Sequence, residues 1–142
     1  MTYTTLQQLT DRYGEQMLVM LTDRGEVATS VVDEAVIDRV LSDTDAVIDG
    51  FLKDRYVLPI AETPPLLSDI AQMIAIWKLH RHQPNEKIEK DYKEAMSLLD
   101  RIGKGAVRLP VAGVEPATAN TGGARITDRE RPLTAENLKG FI

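Results

Sequence analysis

His80 and His82 are the two histidines of the chain, and they stand two residues apart. A metal site built on them needs both imidazoles on one face. On a helix, residues two apart diverge by about 200°, whereas on an extended strand they share a side. The flanking pattern is helical, so the pair reads as a solvated helix end. Asp38, Asp45 and Asp49 form a second set, spaced to share one helical stripe. Paired carboxylates do acid–base work where a pocket separates their environments. No nucleophile, phosphate loop or ligand set accompanies these three, and the stripe reads as an acidic surface. Cysteine is absent, which removes disulfides, thiol nucleophiles and thiolate zinc sites. The chain carries no G-x-G-x-x-G, Walker loop, H-E-x-x-H or G-x-S-x-G. Gly103-Lys104-Gly105 and Gly122-Gly123 are too short to cradle phosphate. Neither catalysis nor a cofactor or metal is expected.

The elements around these residues read as helices. Thr4 or Thr5 caps a first short one with Leu6 and Leu9 on one face, and Gly14 stops it. Glu15 to Thr22 is a second, with Met17, Leu18 and Leu21 inward. Asp33 caps a third, in which Val36, Ile37, Val40, Leu41, Thr44, Val47, Ile48, Phe51 and Leu52 recur at steps of three and four. It ends near Arg55. Pro64-Pro65 suits the start of a fourth, because the first turn lacks intrahelical donors anyway. Its stripe is Leu66, Leu67, Ile70, Ala71, Ile74, Ala75 and Leu79, and His80-Arg81-His82 close it. Trp77 lies off that stripe, either at the edge of the core or facing a partner. A fifth helix runs from about Glu86 to Ile102, with Ile88, Tyr92, Ala95, Leu98, Leu99 and Ile102 inward and Gly103 and Gly105 as its stop. The fold class is mainly α, a small bundle of about five helices with a proline-rich extended connector and a long extended C-terminal arm.

The connector is "RYVLPIAETPPLL", residues 55–67, with Pro59, Pro64 and Pro65 inside it. Proline removes a backbone donor and clashes within a helix, so this stretch is stiff and extended. Its alternate sides can serve the core and a neighbour. Arg55, Tyr56 and Pro59 are the candidate partner contacts, and Tyr56, Val57 and Leu58 are equally suited to covering the helical core.

Residues 1–104 form the helical domain, with 12 Lys+Arg against 18 Asp+Glu. That acidity argues against a general grip on nucleic-acid backbone, which needs clustered cations. The apolar runs fall short of the ~20 residues that span a bilayer, and Met1 to Thr5 has no signal-peptide pattern. A soluble protein without a membrane partner is expected. Residues 105–142 are written differently, rich in Gly, Ala, Thr, Pro and Arg with isolated apolar positions. Alone, such a segment cannot offset ~1–2 kcal/mol of backbone entropy per residue. It reads as an arm ordered by partners, with Leu133, Leu138 and Phe141 as anchors and Arg125, Arg129 and Arg131 as salt-bridge donors.

Four stretches carry a family resemblance: "YTTLQQLTDRYG", "RYVLPI" before a Pro-Leu helix start, "DIAQMIAIWKLH", and "DYKEAMSLLDRIGKG". In this order and spacing, over residues 3–109, the chain resembles the head–tail adaptor (head-completion or connector) proteins of Mu-like phages and prophages. The resemblance implies a structural protein of the virion at the head–tail junction, made in the host cytoplasm. It implies a homo-oligomeric ring, usually of twelve copies, under the portal protein. Such a ring would touch neighbouring adaptor subunits and a tail-side connector or stopper protein. DNA would pass without specific binding, and Asp38, Asp45 and Asp49 would face that channel. A competing reading is a small helical regulatory or scaffold module with a disordered tail.

Overall fold

The computed structural model describes residues 2–110. They fold into five helices with no strand among them: α1 (Leu6–Tyr13), α2 (Glu15–Thr22), α3 (Glu34–Leu52), α4 (Pro65–Leu79) and α5 (Glu86–Lys104). Local chemistry sets the starts. Thr5 and Gln8 form a reciprocal capping box on α1. The Asp33 and Asn85 side chains accept from Ala35 N and Ile88 N at the starts of α3 and α5. Pro65 occupies the first turn of α4.

The core has two storeys. Ile37 and Leu41 of α3, Ala75, Ile76 and Leu79 of α4, and Ile88 of α5 share one cluster with Leu9 and Leu18. Ile48 and Leu52, Leu67 to Ile74, and Ala95 to Ile102 share the other, together with Tyr3 and Tyr56. Thus α3 and α5 run parallel and α4 runs against them. The start of α3, the end of α4 and the start of α5 meet at one end of the bundle. The connector lies at the other. The heptad-like stripe of α4 is wider than the sequence suggested, because Ile76 is also fully buried; helices cover this helix on more than one side. Trp77 stacks on Tyr92, with ring centroids 4.0 Å apart and planes 8° from parallel. It closes the edge of the core.

The fifth helix continues through Gly103, which does not stop it. A Cβ at Gly103 would stand 2.9 Å from Phe51 O, so glycine is what lets α5 approach the end of α3. The stop is Gly105, at φ 83 in the left-handed region. Gly103→Ala is expected to lower stability by about 1–2 kcal/mol, the overpacking cost less the helix gain. Gly50→Ala, with nothing within 4 Å of its Cβ, is expected to raise it by about 0.5–1 kcal/mol. Urea midpoints of the two variants test the contrast.

The body also reaches past residue 104. Leu109 is buried, Val107 packs on the same cluster, and Leu109 N donates to Tyr56 Oη at 3.1 Å. The expected boundary at 104/105 therefore moves beyond Leu109, because Gly105 turns the chain back onto the bundle.

Candidate functional site

The connector begins where α3 ends. Arg55 N and Tyr56 N both donate to Leu52 O. Beyond them, among the described residues, the next backbone amide with a backbone partner is Ser68 N, bonded to Pro64 O. The extended segment alternates as a strand would: Tyr56 and Ile60 are buried, while Val57, Pro59 and Ala61 are exposed. This corrects the expectation for Tyr56. It is 3% exposed and its hydroxyl holds Leu109, so it is a core anchor and offers nothing to a partner. Pro59, joined to Leu58 by a cis peptide bond, keeps an outward place. Arg55 is half-buried, and its Nη2 lies 3.4 Å from Lys104 O. A Cβ at Gly105 would overlap its guanidinium, so Arg55 fits against the end of α5. Val57 is the outward apolar residue here, 61% exposed.

The acidic stripe divides. Asp45 Oδ1 accepts from Tyr3 N at 3.0 Å and from Thr2 Oγ1 at 3.4 Å. Asp49 accepts from Tyr3 Oη. These two carboxylates hold the N-terminal segment to α3, and only Asp38 is exposed. Three carboxylates forming one free wall is therefore corrected: the segment before α1 returns to α3, which no helical spacing reveals. Burial pushes the Asp45 carboxyl above its ordinary range, against the pull of its bond from Tyr3 N. Burial and the Asp49 carboxylate raise the Tyr3 phenol strongly.

At the opposite end, α4 stops at Leu79 and His80 is extended, with φ −73 and ψ 127. The premise that the histidines sit on a helix is corrected, because the end of α4 unwinds before Pro84. His80 and His82 line one cleft, between the end of α2 and residues 79–83. His80 Nδ1 lies 2.8 Å from Ile76 O and so carries the proton of that bond. Asp23 also lines this cleft, but its carboxylate accepts from Thr29 N and Ser30 N, which holds it below the usual range. Among the described residues no group of three His, Cys, Asp or Glu is placed to hold a metal ion, and no helix is long and apolar enough to cross a membrane.

Arg24, just after α2, is a structural residue that no motif or periodicity marks. Its Nε donates to Leu21 O at 2.9 Å and its Nη2 to Leu79 O at 2.6 Å. One guanidinium thereby serves the carbonyl ends of α2 and α4, where the helix dipoles are negative. Arg24→Ala is expected to cost about 1–2 kcal/mol, with Arg24→Lys recovering only part because lysine lacks the fork. Thermal unfolding of the two variants measures this.

Arg125, Arg129, Arg131, Leu133, Leu138 and Phe141 lie outside the described residues.

The geometry defines a small helical domain that presents an extended connector at one end and a folded loop at the other. The chain matches the model of the family described as Bacteriophage Mu, Gp36, over residues 3–128. It is 33% identical to "Gene product J" of Escherichia phage Mu over 142 residues, covering the whole of both chains. It is 26% identical to "Mu-like prophage FluMu protein gp36" of Haemophilus influenzae over 140 residues, covering 99% of this chain and 98% of that one. The chain belongs to the phage Mu Gp36 family. The match extends past residue 109, into the residues after Val111.

Proposed function

We propose that this chain is a structural component of a phage particle, a ring-forming adaptor between the portal protein and the tail-side connector or stopper protein. The observation that carries the reading is the family match over residues 3–128. In this reading the subunits extend the DNA channel at the head–tail junction, with twelve copies as the resemblance implies. An acidic balance suits such a passage, since carboxylates repel phosphate and let the duplex slide. Asp38, exposed on α3, is the remaining candidate of the stripe for the channel wall. Arg55 and Pro59 belong to the side that meets neighbours. Leu133, Leu138 and Phe141, with Arg125, Arg129 and Arg131, are the proposed anchors toward the portal.

The test is capture of tagged full-length protein from cells carrying the whole phage gene cluster, with mass spectrometry of what co-purifies. Recovery of the portal protein in near-equimolar amount is the expected result. Recovery of a single regulatory partner without portal would replace this reading by the regulatory or scaffold module.

A further inference from the structure

The cleft that His80 and His82 line encloses about 410 Å³, within the range of roughly 300–1,000 Å³ usual for ligand pockets. Its lining is of two kinds. Met20 and Leu21 are apolar, and Met20 is 77% exposed. Exposed methionine suits adaptable contact with another chain. Arg24, Arg81 and His82 are basic.

The groups that would repel an anion here are already committed. Among the described residues, Asp23 is the one carboxylate of the lining. Its two oxygens accept from Thr29 N, Thr29 Oγ1 and Ser30 N at 3.0 to 3.3 Å. The carbonyls that end α2 and α4 have partners as well. Arg24 Nε and Nη2 donate to Leu21 O and Leu79 O, His80 Nδ1 to Ile76 O and His80 N to Trp77 O. These bonds answer the negative ends of both helices. The next carboxylates along the chain, Glu26 and Glu86, lie outside the lining.

The basic groups keep free donors. Arg24 retains Nη1 beyond its two bonds. Arg81 and His82 are exposed, and among the described residues neither has a hydrogen-bond or ion-pair partner. With both imidazoles neutral the lining is net positive by one charge, in a chain of net −5.

Guanidinium groups favour carboxylate and phosphate, because the planar fork sets two N–H donors against two oxygens. The apolar share of the lining decides between these ligands. Bare phosphate would leave Met20 uncovered, whereas an acidic peptide brings a carboxylate and an apolar side chain together. We propose that this cleft is the docking site for an acidic segment of a partner protein. Its carboxylates meet Arg81 and Arg24 Nη1, and a neighbouring apolar side chain covers Met20 and Leu21. The inference goes beyond the adaptor reading and does not depend on where in a particle the chain sits.

The test uses the full-length chain and a short dye-labelled peptide of alternating glutamate and leucine, followed by fluorescence anisotropy. The same peptide with glutamine for glutamate, and inorganic pyrophosphate, are the comparison probes. The glutamate peptide is expected to bind and to shift the amide resonances of Met20, Arg81 and His82, and the glutamine peptide to bind far more weakly. Arg81→Glu is expected to weaken binding roughly tenfold or more, and Arg81→Gln to weaken it less. Neither variant removes an internal bond, so both are expected to keep the unfolding midpoint of the parent chain. Lys53→Glu, outside the cleft, is expected to leave binding unchanged. Equal binding of the glutamine peptide, or binding that Arg81→Glu does not weaken, would overturn the proposal. So would absence of peptide binding. Pyrophosphate shifting these resonances where the peptide does not would replace the acidic segment by a phosphate ligand.

Discussion

Tyr3→Ala is expected to lower the stability of the folded chain by about 3–5 kcal/mol, the usual cost of emptying a buried aromatic site. Tyr3 is 4% exposed and packs with the storey that holds Ile48, Leu52 and Tyr56. Its backbone amide is bonded to Asp45 and its hydroxyl to Asp49. Removing the ring leaves a void and takes the hydroxyl from the Asp49 carboxylate, while the backbone amide that serves Asp45 stays. Tyr3→Phe separates the two contributions. It keeps the ring and loses the Asp49 bond, a loss of about 1–3 kcal/mol for a hydrogen bond to a charged group. Equilibrium urea unfolding of both variants gives the two numbers. A Tyr3→Ala midpoint equal to that of the parent chain would show that the N-terminal segment does not hold to α3.

The same residue sets an alkaline limit. Burial, the Asp49 bond and the nearby Asp49 and Asp45 charges all keep the Tyr3 phenol protonated. In the unfolded chain it ionises near the ordinary value of about 10. Above that pH the unfolded state holds fewer protons than the folded one, so stability falls as pH rises. The contribution is complete below about pH 10 and fades above it. Tyr3→Phe is expected to flatten this part of the pH profile. An unchanged slope between pH 10 and 12 would place the alkaline limit on another group.

Two truncations carry the second large effect. A chain ending at Pro110 is expected to keep the helical signal and the unfolding midpoint of the full chain, but to lose capture of the portal protein. A chain ending at Lys104 is expected to lose about 2–4 kcal/mol as well, from the burial of Leu109 and the bond to Tyr56. Leu109 is 7% exposed, and its amide is the partner of the Tyr56 hydroxyl. The second truncation also deletes Gly105, whose amide donates to Ile102 O. Portal capture retained by the 110-residue chain would remove residues 111–142 from the docking role. Equal stability of the two truncated chains would show that Val107 and Leu109 contribute nothing to the bundle.

The helices were legible because helix formation is signalled locally. Asp33 is a cap by its own chemistry, Pro65 suits only a first turn, and the apolar steps of α3 and α5 need no knowledge of what they pack against. The proline connector was legible for the same reason, since proline forbids a helix whatever surrounds it. The fates of individual side chains on these elements were decided elsewhere in the fold. Asp45 and Asp49 share a stripe by spacing, but whether that stripe meets water or the amide and hydroxyl of Tyr3 depends on where the segment before α1 returns. Tyr56 alternates correctly along the connector, yet its inward turn is set by Leu109, more than fifty residues away in the chain. Gly103 reads as a stop until Phe51 O is seen beside it. Nothing local marks Arg24, whose partner, the carbonyl of Leu79, comes within 2.6 Å only in the folded chain. Capping, proline geometry and periodicity act over a few neighbouring residues, so the sequence alone determined the five elements and most of their inward faces, while Ile76 and the end of α4 at Leu79 were decided by packing. Contacts between residues distant along the chain depend on how α3, α4 and α5 pack, and the tertiary structure alone decided which polar groups are used internally and which remain for a partner.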